Sequence, residues 1–107
     1  PAAVVDIKSR CMPLKGGLSG PTLKPIALRA VHECSKAVSV PIIGAGGIMN
    51  TEDALSFFMA GATAIQIGTA TFVDPYTIPK IISGISNYID EQGLSLIDDI
   101  VGIAHDQ

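Results

Sequence analysis

Apolar residues along this chain fall into two rhythms, short unbroken runs that stop at glycine and longer stretches in which they recur every three or four positions. The runs are Ala2 to Ile7, Pro41 to Gly44 and Ala64 to Gly68. Lacking polar alternation, each predicts a strand buried on both faces, the pattern of a parallel sheet. The helical rhythm falls first on Ala27, Ala30, Val31, Cys34, Ala37 and Val38, behind Pro25, whose missing N–H suits a first helical turn. It returns on Ala54, Leu55, Phe58 and Met59, with Asn50 or Thr51 as cap, Glu52 and Asp53 at the positive dipole end, and Gly61 as the stop. Asp74-Pro75-Tyr76 opens a longer helix with Ile78, Ile81, Ile82, Ile85 and Ile89 inward and Gly93 at its end. Ser95-Leu96-Ile97-Asp98 has capping spacing and starts a short last helix to about Ala104. The stretch from Lys8 to Pro21, rich in Lys, Pro and Gly, reads as a loop.

Strands alternating with helices of this length imply right-handed crossovers and an α/β fold with a parallel sheet. A doubly wound sheet would carry its glycine fingerprint after the first strand, and Asp6-Ile7-Lys8 has none. A TIM (β/α)8 barrel places its phosphate site at the loops after its seventh and eighth strands, and here the two glycine-ended strands come last. The expectation is therefore the C-terminal part of such a barrel, about three βα units plus a terminal helix, with residues 1–107 forming a portion of one domain without an internal boundary.

The glycine-ended strands also carry the chemistry. Pro41-Ile42-Ile43-Gly44-Ala45-Gly46-Gly47-Ile48 is echoed by Ala64-Ile65-Gln66-Ile67-Gly68-Thr69. Glycine just past a strand lets the backbone turn sharply and leaves the main chain open to a ligand. Two such turns side by side make a nest of N–H groups suited to a phosphate, although either alone is an ordinary strand-to-helix connection.

Composition bounds the rest. In 107 residues, 48% are hydrophobic and 16% charged, whereas about a quarter charged is usual, so some surface is expected to be buried against something outside the sequence. With no initiating Met and a strand-like opening run, the chain reads as a fragment. A net charge of −3 gives no footprint for nucleic acid or an anionic membrane, and no apolar run is long enough to span a bilayer. Cys11 and Cys34 read as free thiols of a reducing compartment, with Cys34 in the core, which points to the cytoplasm.

Several segments together resemble a known family. Gly16-Gly17-Leu18-Ser19-Gly20-Pro21, Lys24-Pro25-Ile26-Ala27-Leu28-Arg29, Ile42 to Ile48 and Gln66-Ile67-Gly68-Thr69-Ala70 look like the C-terminal part of a dihydroorotate dehydrogenase. Phe72-Val73-Asp74-Pro75-Tyr76 and Ile100-Val101-Gly102-Ile103-Ala104-His105 resemble the NAD-linked, two-subunit class within it. The match runs in order through nearly the whole chain.

The resemblance implies a flavoprotein that oxidises dihydroorotate to orotate in pyrimidine synthesis, with FMN at the top of the barrel. Carried over residue by residue, the FMN contacts would be Gly20, Gly46, Gly47, Gly68 and Thr69. Gly46 and Gly47 would leave N–H groups bare before a capped helix, Gly68 would add another, and the Thr69 hydroxyl could donate to a phosphate oxygen. Ser19 is a weaker candidate, equally suited to capping the turn before Pro21. The resemblance also implies a homodimer and a partner subunit with an iron–sulfur cluster and FAD that passes electrons to NAD. No metal site is expected in this chain.

The same resemblance places the catalytic base, a cysteine in the cytosolic enzymes, on an earlier loop, with the flavin-proximal lysine and the substrate-gripping asparagines. None has a counterpart here, and Cys11 sits in the wrong segment to replace the base. No catalytic residue is therefore assigned, and the 107 residues alone are expected not to turn over dihydroorotate. Lys8, Lys15 and Lys24 read as solvated, although Lys24 could neutralise a neighbouring acid; His32 and His105 read as surface residues. Two other enzyme readings stand beside this one, a dihydropyrimidine dehydrogenase-like flavoenzyme and a flavin-free barrel lyase or isomerase acting on a sugar phosphate.

Overall fold

A computed structural model of the protein describes residues 1–106. In order come β1 (Ala2–Asp6), β2 (Cys11–Gly16), a 3-10 turn (Pro21–Leu23), α1 (Lys24–Ala37), β3 (Ile43–Ala45), α2 (Thr51–Ala60), β4 (Ala64–Gln66), α3 (Ala70–Val73) and α4 (Thr77–Glu91). Two 3-10 turns, Ile97–Ile100 and Ile103–Asp106, follow where a short helix was expected from Ser95 to Ala104.

The central unit is β3–α2–β4, a parallel pair in which Ile43, Gly44 and Ala45 lie opposite Ala64, Ile65 and Gln66, joined by a helical crossover. Asn50 starts α2 because its side chain accepts the N–H of Asp53, and Gly61 ends it at φ 125°, a conformation other residues resist. α2 buries Ala54 and the whole of Phe57 against Val31 of α1 and Ile81 of α4. Gly44 must be glycine there, since a Cβ would stand 2.7 Å from the Phe57 ring. Truncating Phe57 to alanine would leave a cavity costing about 3–5 kcal/mol.

Three expectations are corrected. First, β1 is no buried barrel strand. It pairs antiparallel with β2, inside the stretch read as a loop, and every residue of both strands is exposed. The Asp6 side chain accepts the Lys8 N–H at 2.9 Å and Arg10 takes φ 56°, so the chain reverses within a few residues and never reaches a helical crossover. Two βα units therefore stand where about three were expected. Second, the β3–β4 pair is covered on one face only. Gly44 is buried and Ile65 half-buried beneath the helices, while Ile43, Ala45, Ala64 and Gln66 stay exposed. Along α4, Ile81 is buried, whereas Ile78 and Ile82 of the expected inner face remain 41% and 63% exposed. Third, Cys34 is exposed, because the core reaches α1 at Val31, which packs with Ala54, Phe57 and Ile81, and does not take in Cys34 one turn further on. Cys11 and Cys34 are both free thiols.

The histidines also differ from their surface reading. His105 Nε2 lies 2.6 Å from the Ala60 carbonyl and 2.9 Å from Ser35 Oγ, and its ring meets that of His32 edge-on at 4.9 Å. Gly61 makes room, since a Cβ there would fall 2.2 Å from Ser35 Oγ. The last 3-10 turn is thereby fastened to α1 and α2.

Candidate functional site

A cleft of about 530 Å³ opens at the carboxyl ends of β3 and β4. Ser19 and Gly20 line it from the loop before α1, Gly46 and Gly47 from the turn after β3, and Gly68 and Thr69 from the turn after β4. Every cofactor-binding residue expected from the sequence therefore faces one space, as does the weaker candidate Ser19.

The two glycine turns are built differently. Gly46 and Gly47 take φ 120° and 73°, in the left-handed region that favours glycine. At Gly46 a Cβ would meet Ala27 Cβ at 2.9 Å, and at Gly47 the backbone N of Lys24 at 2.6 Å and the Gly20 carbonyl at 2.9 Å. The start of α1 therefore lies directly against this turn. Gly68 has ordinary backbone, and a Cβ there would meet nothing within 4 Å. Its carbonyl accepts the Thr71 N–H at 3.0 Å and the Thr71 hydroxyl at 2.6 Å, which folds the chain into the single turn of α3. Thr69 precedes that turn, and its hydroxyl makes no cap bond there, so it remains available to a ligand.

The start of α2 holds the carboxylate that the sequence placed at its positive end. Asp53 Oδ2 accepts the Met49 N–H at 3.0 Å, and Asp53 Oδ1 lies 2.5 Å from Lys24 Nζ. Lys24 is thus paired and half-buried rather than solvated, as the reading that it could neutralise a neighbouring acid allowed. Lys8 and Lys15 are exposed. Among the described residues no acidic or basic side chain lines the cleft, whose polar surface is backbone together with Ser19, Gln66 and Thr69.

Sequence reasoning passed over Leu23, Met49 and Gln66, which also line the cleft. Gln66 carried a legible signal as the one polar side chain inside an apolar run. Leu23 and Met49 carried none, since each reaches the cleft through the packing of α1 and α2. Cys11 begins β2, outside the cleft lining, with its sulfur 2.9 Å from Ser9 Oγ. Among the described residues no group of three or more His, Cys, Asp or Glu side chains gathers as a metal site, and no helix is long and apolar enough to cross a membrane.

Parallel strands with a ligand-sized cleft at their carboxyl ends define an α/β protein of the class that binds its ligand there. The family model for dihydroorotate dehydrogenase matches residues 2–89, and the chain belongs to that family. Among similar curated proteins is the dihydroorotate dehydrogenase B (NAD(+)) catalytic subunit of Desulforamulus reducens, 52% identical over 104 residues, a match covering 94% of this chain and 34% of that protein. The subunit of the same name from Thermodesulfovibrio yellowstonii is 50% identical over 105 residues, covering 95% and 35%. The chain thus spans about a third of the length of the curated relatives it matches. Among solved structures, DHODH from Eimeria tenella in complex with ferulenol aligns with TM-score 0.79 at 26% identity, over 99% of this chain and 30% of that one. Its ligand-free form aligns with TM-score 0.81 at 29% identity, over 88% and 27%. The α/β segment therefore matches part of the dihydroorotate dehydrogenase fold.

Proposed function

We propose that these residues form the FMN-phosphate-binding, C-terminal portion of a dihydroorotate dehydrogenase, one continuous piece of a (β/α)8 barrel domain. The observation that carries the reading is the convergence of Gly20, Gly46, Gly47, Gly68 and Thr69 on a single cleft free of charged side chains. A phosphate suits such a place, because bare backbone N–H groups and one hydroxyl can surround its oxygens and no carboxylate in the lining opposes it. The Gly46–Gly47 turn lines the cleft with main chain because its glycines let the start of α1 close against it, whereas at Gly68 the space beside the backbone is open. Gly20 closes the third side without bulk.

When bound, the flavin would supply the redox chemistry by accepting the hydride from dihydroorotate. The residues of this chain would hold its phosphate and orient it. The base that removes the substrate proton would come from another part of the protein, as would the remaining substrate contacts. The naming of the curated relatives as NAD(+) catalytic subunits supports a partner subunit and NAD as electron acceptor. An iron–sulfur cluster and FAD in that partner, a homodimer and a cytoplasmic location are proposed from the family resemblance alone.

Purifying the full-length protein and recording its spectrum, its flavin content and its oxidation of dihydroorotate tests this reading. A yellow protein releasing FMN on denaturation and reducing NAD in the presence of its partner is expected. A colourless protein that binds a sugar phosphate would overturn the reading in favour of a lyase or isomerase.

A further inference from the structure

Asp53 stands where a phosphate-binding turn would least tolerate it. It lies in the first turn of α2, and its Oδ2 holds the N–H of Met49, a residue of the cleft wall. Charges a few ångströms apart at a partly buried site interact far more strongly than in water, so this carboxylate on its own would repel an anionic ligand. Lys24 answers it from the start of α1. Its Nζ lies 2.5 Å from Asp53 Oδ1, with the two side chains 29% and 13% exposed. The backbone N of Lys24 packs directly beneath Gly47, leaving no space for a Cβ. One residue thus supports the turn with its main chain and neutralises the neighbouring acid with its side chain. Neither charge lines the cleft, so neither is a direct ligand contact.

We infer that the Lys24–Asp53 ion pair is a charge mask behind the glycine turn: Asp53 fixes the turn through Met49, and Lys24 cancels the field that this carboxylate would otherwise project onto a bound phosphate. The inference rests on the reading of the cleft as a phosphate site. Both are positioning residues, acting through the turn and through space.

The test is a titration of flavin-stripped full-length protein with FMN and with riboflavin, which lacks the phosphate. The proteins compared are the wild type, Lys24→Met, Asp53→Asn and the double variant. Lys24→Met is expected to weaken FMN about tenfold or more and riboflavin less than about threefold, because the unmasked charge acts on the phosphate. Adding Asp53→Asn is expected to return FMN affinity to within about threefold of wild type, since the repelling charge is gone and asparagine still offers Met49 an acceptor. A double variant as weak as Lys24→Met, or parallel losses for riboflavin, would reduce the pair to a mechanical brace and overturn the inference. Should circular dichroism show Lys24→Met unfolded, Asp53→Asn alone decides. Unchanged or tighter FMN binding supports the mask, and a tenfold loss defeats it. A wild type binding FMN no tighter than riboflavin would sink the phosphate reading itself, and the inference with it, before any variant is compared.

Discussion

The two glycine turns of the cleft look alike in sequence and differ in what holds them. Gly46–Gly47 is enforced twice, by left-handed backbone and by Ala27, Leu23 and Lys24 closing around it. Gly68 is enforced by neither, for its backbone is ordinary and the space beside it is open. A glycine in the first turn is needed for the protein to fold as it does. In the second turn, only an incoming ligand would need one. On the proposed reading the same residue type marks structure in one place and a ligand's space in the other, and substitutions can separate the two.

The largest effect is expected at Gly47→Ala, which combines a disfavoured φ with a clash against backbone atoms that cannot swing aside. A loss of about 2–4 kcal/mol should appear as a lower denaturation midpoint at unchanged slope. A loss of only a few tenths would erase the contrast between the turns. Gly68→Ala should leave stability within about 0.5 kcal/mol while weakening FMN about tenfold or more, because its methyl enters the ligand's space alone. An FMN affinity equal to wild type would remove the second turn from the site. Thr69→Val keeps the shape and deletes the hydroxyl, and should cost FMN roughly tenfold, the worth of one hydrogen bond to a charged group, with riboflavin nearly unaffected. Equal losses for both flavins would place Thr69 away from the phosphate.

The smallest effect concerns pH and the segment after the second turn. The Lys80 side chain, then the Tyr76 N–H, hold the Asp74 carboxyl below its ordinary value of 3.8. A carboxyl depressed on folding contributes stability that is present above its unfolded pKa and fades as pH falls through its folded one. Being exposed and screened, Asp74 should add only a slight slope to stability below about pH 4. Asp74→Asn should flatten that acid limb without altering FMN binding, and an altered affinity would tie this segment to the cleft.

Much of this was legible beforehand. The runs ending at Gly44 and Gly68, the cap at Asn50 and the stop at Gly61 are local matters, decided by residues that act on their own neighbours. The cleft lining at Gly20, Gly46, Gly47, Gly68 and Thr69 followed from the same local signals together with the family resemblance. What escaped depended on partners distant in sequence. Ala2 to Ile7 has the composition of a buried strand, but the turn held by Asp6 and Arg10 gives it β2 as a neighbour and no helix. Cys34 sits on an apolar stripe, yet the core that α1 shares with α2 and α4 takes in Val31 and stops short of it. His105 looked like a terminal surface residue because nothing near it in sequence announces Ser35 or the Ala60 carbonyl.

The crossover that joins β3 to β4 also bears on the order of events in folding. Gly44, Phe57, Ala62 and the parallel pair are close neighbours along the chain, so bringing them together closes only short loops and is favoured early. The contacts of His105 with Ser35 and Ala60 join residues 70 and 45 positions apart and are expected to come together late. Substituting Gly44 should therefore slow refolding, whereas His105→Ala should chiefly hasten unfolding, a division that stopped-flow kinetics on the two variants would reveal. One glycine turn lies inside that early unit and the other follows it directly, so the outline of the cleft would exist before the chain has finished placing its ends.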